Sequence, residues 1–310
     1  MGNIDVSIII PCYNARDTIV ETVGSALAQE GISAEVIVVD DGSTDGSLDC
    51  LRNAGLLDRI VYISQPNQGV SVARNQGISL SRGRFCCFLD SDDLLDPSFA
   101  SEMIAALGNS GCRIGYCDYR YFIDEPGRPN VNIRYPTYDG WVQGQIVSAN
   151  FLPTDAVLVL REAIGNIRFD LSLRNAQDWF FWVQLLLREK LCFHPKVLLH
   201  IRVRKTSLSK GKAKMARAVV SVLERIEPIL DSNRHRLTES DISRFHYRFA
   251  SALAEAREFR RAFENWKKAA SIGLGVPDHA KFAAKILLEA FGLRNAAERA
   301  LWRIRLSKSA

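Results

Sequence analysis

The chain has 310 residues, a formal net charge of +5, 47% hydrophobic and 24% charged residues. That length allows one large core or two smaller ones, and the composition is that of a globular protein. No apolar run is long enough to span a bilayer, and Met1-Gly-Asn-Ile-Asp-Val6 shows neither a basic n-region nor a signal h-region, so a cytoplasmic protein is expected. The seven cysteines show no CxxC pair and no zinc spacing and read as buried free thiols. Charge is uneven along the chain: residues 1–200 hold 16 Lys+Arg against 24 Asp+Glu, residues 201–310 hold 24 against 11. An acidic part followed by a basic part suggests two functional regions.

Val6–Pro11 reads as a buried strand ended by proline. Residues 17–30 place Ile19, Val23, Ala26 and Leu27 on one helical face. Glu35–Val39 reads as a second strand, and Asp41–Asp45 as a turn in which Ser43 or Thr44 caps the next helix. Arg59–Ser64 is a third strand, Gly69–Ser81 a helix with Gly69 and Gly77 allowing close approach, and Phe85–Leu89 a fourth strand. This alternation implies parallel βαβ units in a doubly wound, mostly parallel α/β sheet. Residues 123–140 read as a loop, Ala156–Leu160 as a strand and Asp178–Glu189 as a buried helix, apolar nearly all round. Beyond about residue 210 only helices are expected, over 214–230, 240–256, 259–272, 278–291 and 294–306, with a hinge at 207–214. The expected domains are therefore an α/β domain over 1–210 and a basic helical region over 211–310.

The aspartates carry the functional signal. Asp40 and Asp41 close one apolar run; Asp90, Asp92 and Asp93 close another. Ligands of open α/β sheets bind at the carboxyl ends of strands. Acidic clusters there suit a hard cation and a nucleotide, and three carboxylates in four positions repel one another unless a cation sits among them.

Four segments, Val6–Asn14 (VSIIIPCYN), Val38–Asp45 (VVDDGSTD), Asn67–Gly77 (NQGVSVARNQG) and Leu89–Asp93 (LDSDD), followed by Gln177–Trp182 (QDWFFW), resemble the family 2 glycosyltransferases of GT-A fold. The resemblance runs from residue 6 to about 209. It implies inverting transfer of a sugar from a nucleotide-diphosphate donor, a UDP-sugar first, to a hydroxyl of a glycan or lipid-linked glycan, in cell-surface polysaccharide or glycolipid synthesis.

The resemblance places the nucleotide between the Pro11–Asn14 and Asp40–Ser43 segments. Pro11 and Tyr13 would pack on the base, Asp41 would accept its imide N–H and Asp40 would help hold the pocket. Against this stand an Asx-turn at Asp40/Asp41 and a helix staple at Tyr13. Asp90-Ser-Asp92 matches the DxD motif: Asp92 would bind Mn²⁺ or Mg²⁺ directly, and Asp90 the ribose or a metal-bound water. Arg74 and Asn75 would face the nucleotide or buttress the Asp90 turn, a structural pairing of Arg74 being the equal alternative. Asp178 would be the general base, though Asp is also a favoured residue at a helix start. Where relatives carry a His after Arg-x, this chain has Arg202-Val-Arg204, which cannot ligate a metal but can clamp a diphosphate from a mobile loop. His194 and His200 are out of register and read as structural.

Residues 245–272 resemble one tetratricopeptide-like unit. Over 281–308 an apolar stripe, among it Phe282, Ile286 and Leu293, is bordered by basic residues. It would either dock on its own domain or lie peripherally on the anionic inner face of the cell membrane. No nucleic-acid motif is present. The alternative from another class is a non-catalytic nucleotide-sugar sensor or scaffold, against which the presence of both Asp92 and Asp178 counts. A nucleotidyltransferase would carry a Gly-rich basic loop where Pro11-Cys-Tyr-Asn14 stands.

Overall fold

The computed structural model describes residues 3–123, 136–203 and 212–272. In chain order the elements are β1 (Val6–Cys12), α1 (Ile19–Leu27), β2 (Ala34–Asp40), α2 (Ser47–Asn53), β3 (Val61–Ser64), α3 (Val70–Leu80), β4 (Phe85–Phe88), β5 (Leu94–Leu95), α4 (Phe99–Ser110) and β6 (Ile114–Ile123). There follow α5 (Gln143–Ser148), β7 (Val157–Leu160), α6 (Arg161–Ile164), α7 (Gln177–Leu186), β8 (Leu191–Val203), α8 (Lys212–Ser232), α9 (Glu239–Glu255) and α10 (Phe259–Ser271). The backbone forms two compact units, one from Met1–Val142 and Asn150–Ser209, the other from Gln143–Ala149 and the chain from Lys210 onward.

The first unit is built on one eight-stranded sheet of order β3-β2-β1-β4-β7-β6-β8-β5. β3, β2, β1 and β4 are parallel, as the βαβ alternation requires. β1 is buried along its whole length, as expected of a parallel strand covered on both faces. The close approach expected at Gly77 is observed: a Cβ there would meet Ile9 Cγ2 at 2.2 Å, so α3 lies tight against β1. Gly69 instead has open space around it and supplies a φ of +97° at the start of α3.

The second half of the sheet is mixed. β7 runs antiparallel to both β4 and β6, while β6 pairs parallel with β8. The pairing jumps from Cys117–His194 to Asp118–Val197, so Pro195 and Lys196 bulge out of the ladder. Arg202 therefore stands on a strand, not on a mobile loop. The cap expected from Ser43 or Thr44 is also replaced: α2 starts only at Ser47, whose amide donates to Asp45 Oδ1 at 3.0 Å.

An aromatic cluster fixes α7 against the end of β4. Phe169 stacks on Phe181 with ring centroids 4.1 Å apart, and both meet Phe88 edge-on. Phe88 lies two residues before Asp90, and Phe181 three after Asp178, so this apolar contact places the two carboxylates. In the second unit, α9 starts with a capping box of Thr238 and Asp241 and pairs antiparallel with α10, Ser243 bonding Ala269 O and His246 meeting Asn265. The stretches 278–291, 294–306 and 281–308 and most of the 207–214 hinge lie outside the described residues. Among those described, no helix is long and apolar enough to cross a membrane. All seven cysteines are free thiols, five of them buried.

Candidate active site

The carboxyl ends of β1 and β4 and the start of α3 enclose a cleft of about 440 Å³. Pro11, Tyr13, Asp41, Asp90 and Asp92 all line it. Tyr13 is 53% exposed, an aromatic face presented to solvent at the cleft wall. Its neighbour Asn14 takes a left-handed φ of +50° and braces two loops: its amide donates to Ser43 Oγ and its Oδ1 accepts from the Thr44 amide. Cys12 also lines the cleft, but burial, reinforced by Asp40, pushes its thiol up to about 11, so it is protonated and inert.

Asp40 and Asp41 have separate duties. Asp40 is buried behind the cleft, accepting from the Ser43 amide and from Tyr62 Oη at 2.8 Å. Asp41 Oδ1 accepts from Gln65 Nε2 and the Gln68 amide, and Oδ2 from the Gly69 amide at 2.7 Å. These three donors fix the start of α3 to the end of β2.

The Asp90-Ser-Asp92 turn is held from several sides. Arg74 Nη2 donates to Asp90 Oδ1 at 2.7 Å, Thr18 Oγ1 to Ser91 O at 2.7 Å, and Arg202 Nε to Asp92 O at 2.9 Å. Arg74 is buried, its Nε finding no hydrogen-bond partner, and burial is outweighed by Asp90, Asp155 and Asp178, which hold it charged. Asn75 does not join this turn; it exchanges two hydrogen bonds with the Phe169 backbone. Arg202, only 4% exposed at its side chain, also binds Glu21 Oε2 at 2.5 Å and lies over the Phe122 ring. That employment puts its guanidinium under the turn, not among the groups lining the cleft. Arg204 lies outside the described residues. His200 is half-buried and accepts from Arg120 Nε at 2.7 Å, and burial and then that cation lower its pKa; His194 sits 3.4 Å from Glu102.

Asp155 is the buried group that sequence reasoning missed. Its Oδ2 accepts from the Asp90 amide at 3.0 Å, and it hydrogen-bonds the Asp93 carboxyl, which in turn accepts from the Arg202 amide at 2.8 Å. Two carboxyls in such contact must share a proton. Burial, then the charge of Asp90, pushes Asp155 well up, and burial raises Asp93 to about 7. The signal was available: Asp155 directly precedes an apolar strand. Because β7 is antiparallel to β4, its beginning shares an edge with the end of β4.

Asp178 stands at the second position of α7, partly exposed, its Oδ2 accepting from Asn150 Nδ2 at 3.0 Å and Thr154 Oγ1 at 3.3 Å. It does not cap the helix; Ala176, at φ +56°, occupies that place. Beside it, Gln177 is buried with Oε1 unpartnered. Among the described residues no group of three or more His, Cys, Asp or Glu side chains could hold a metal ion by itself. Asp90 and Asp92 nevertheless suit a hard cation that takes the rest of its shell from phosphate oxygens and water: both are oxygen donors on the wall of an open cleft, and the Asp90 side chain is 46% exposed.

Comparison with known proteins bears on the family and the fold. The chain is 31% identical over 229 residues to a Bacillus subtilis protein named as the teichuronic acid biosynthesis glycosyltransferase TuaG, covering 72% of this chain and 88% of that one. It spans only about a third of several further curated relatives. Among solved structures, Staphylococcus aureus TarS (residues 1–349) in complex with UDP superimposes with a TM-score of 0.68 at 17% identity, covering 96% of this chain and 92% of that one. The mannosyltransferase PcManGT of Pyrobaculum calidifontis, in complex with GDP-Man and Mn²⁺, gives 0.59 at 16% identity, covering 94% and 88%. The fold is thus that of the GT-A glycosyltransferases. The profile described as glycosyl transferase family 2 matches residues 7–168, which take in β1 to β7 and every residue lining the cleft. With that span and that relative, the chain belongs to glycosyl transferase family 2.

Proposed function

We propose that the protein is an inverting glycosyltransferase that moves a sugar from a nucleoside diphosphate donor, a UDP-sugar first, to a hydroxyl of a glycan or lipid-linked glycan. The observation that carries the reading is that Pro11, Tyr13, Asp41, Asp90 and Asp92 line one cleft at the carboxyl ends of β1 and β4, with the buried Arg74 bonded to Asp90 beneath it. UDP bound to TarS and the name of TuaG support a uridine donor and a role in polysaccharide synthesis. The first unit would carry catalysis, and the helical second unit acceptor, membrane-surface or partner contacts.

In this account Pro11 and Tyr13 pack on the base, and Asp41, pinned by three donors, reads its N–H. Asp90 and Asp92 would hold a divalent cation, Mn²⁺ or Mg²⁺, which would supply charge neutralisation for the departing diphosphate. Arg74 and Arg202 act as positioning residues, fixing the DSD turn from below. The acceptor oxygen attacks the anomeric carbon as the bond to the diphosphate oxygen breaks. Asp178 takes the acceptor proton, and the negative charge leaves on the diphosphate. Asn150 and Thr154 aim its carboxylate by donating to one oxygen and leaving the other for the proton. Single displacement inverts the anomeric centre. Proton NMR of the first-formed product from an α-linked donor tests this: a β-product is expected, and an α-product overturns the mechanism.

A further inference from the structure

A second cleft, of about 480 Å³, adjoins the first and shares Asn67, Gly69 and Val70 with it. Among the described residues no acidic side chain lines it. Its floor is the start of α3, an 11-residue helix with no side-chain cap. Asp41 takes the amides of Gln68 and Gly69, but those of Val70 and Ser71 meet no acceptor among the described residues. Ser71 is 5% exposed and lines the cleft, and its Oγ has no hydrogen-bond partner. On the facing segment Arg174 is exposed and without a carboxylate partner among the described residues. Asp170, four residues before Arg174, accepts from the amide and hydroxyl of Ser172. Leu171, 63% exposed, adds an apolar lip.

Open amides at a helix start, an orphaned hydroxyl and an unpaired guanidinium all favour negative charge. The segment is also anchored, because Asn75 bonds both backbone groups of Phe169. Four residues beyond Arg174 comes Asp178. We propose that this cleft receives an anionic group, carboxylate or phosphate, carried by the acceptor, so that the acceptor is an acidic glycan bound with its charge against α3 and Arg174. The assignment rests on the transferase reading, since only there does the neighbouring cleft hold the donor.

The test is calorimetric titration of the full chain, saturated with UDP, with two matched pairs of probes. One pair is trigalacturonic acid and its methyl ester; the other is a trisaccharide ending in a 6-phosphate and its dephosphorylated form. At least one charged probe is expected to bind about tenfold tighter than its neutral partner, and the arm showing this names the source of charge. Arg174→Gln and Ser71→Ala should each shrink that preference, and Arg174→Lys should restore most of what Arg174→Gln loses. Equal binding of charged and neutral probes, or a preference untouched by both variants, overturns the proposal. The UDP titration of the unmodified chain separates the two claims: absent UDP binding defeats the donor reading, whereas UDP binding without charge preference defeats only the anionic cleft.

Discussion

Arg74 Nη2 lies 2.7 Å from Asp90 Oδ1, and the guanidinium that makes this contact is 5% exposed while its partner is 46% exposed. A buried cation thus holds a carboxylate at the wall of the cleft. The same cation feels Asp155 and Asp178, so it sets the field for both the proposed metal ligand and the proposed base.

Removing that cation should leave three carboxylates facing one another. Arg74→Ala is expected to lose about 1–3 kcal/mol of stability, since it leaves Asp90 without its donor and a cavity where the buried side chain lay. It should also weaken metal-dependent donor binding. Urea unfolding and donor titration check this; unchanged stability would show that Arg74 is not the anchor described.

Asp178→Asn keeps an oxygen for Asn150 and Thr154 but cannot accept a proton. Transfer should fall about 10²–10⁴-fold while donor affinity holds within a factor of two. A parallel loss of donor affinity would mean that Asp178 serves binding and not proton removal.

The Asp93–Asp155 pair makes stability depend on pH. Its pKa values are raised in the folded state, by burial first. A carboxyl with a raised folded pKa favours folding while protonated, so this contribution is present in acid and is lost as pH climbs from about 4 toward about 7. Asp155→Asn still accepts from the Asp90 amide but carries no charge. Relative to the parent it should gain on the order of 1 kcal/mol between pH 5 and pH 8. Urea midpoints at the two pH values decide it; identical pH slopes in both proteins contradict the shared proton.

Much of this site was legible in the sequence because parallel strands announce themselves. β1, β2 and β4 are short apolar runs, and the acids that end β2 and β4 fall on one edge with Pro11 and Tyr13 by topology. Asp155 escaped because it begins a strand, and only antiparallel pairing brings that beginning to the same edge. β6 and β8, among the longest strands described, escaped for a different reason. Pro195 interrupts the β8 pattern, and the polar Asp118 and Arg120 interrupt β6; the bulge that absorbs the proline cannot be seen without the partner strand. Arg202 was read as a loop cation for the same reason. Its partner Glu21 is 181 residues distant, on α1.

Asn14 offers a test of the proposed nucleotide wall. Asn14→Gly keeps the left-handed backbone but loses the Thr44 bond, and Asn14→Ala strains the backbone as well. Donor KM should rise about threefold in the first and about tenfold in the second, with kcat little changed, as for successive steps of roughly 0.7 kcal/mol in binding. A fall in kcat at constant KM would place Asn14 with the chemistry instead.

Gly77→Ala would drive its Cβ into Ile9 and should destabilise the fold by about 1–3 kcal/mol, read as a lower urea midpoint. An unchanged midpoint would show that α3 can move away from β1 without loss.

The central claim is metal-assisted breakage of a nucleotide–sugar bond at Asp92. It is tested most directly by nucleoside diphosphate release from a panel of UDP-, GDP- and dTDP-sugars, with and without Mn²⁺ or Mg²⁺, on the unmodified chain and on Asp92→Ala. The account predicts slow release from one donor, dependent on the cation and abolished in Asp92→Ala. Release that persists without cation, or that survives in Asp92→Ala, would contradict it.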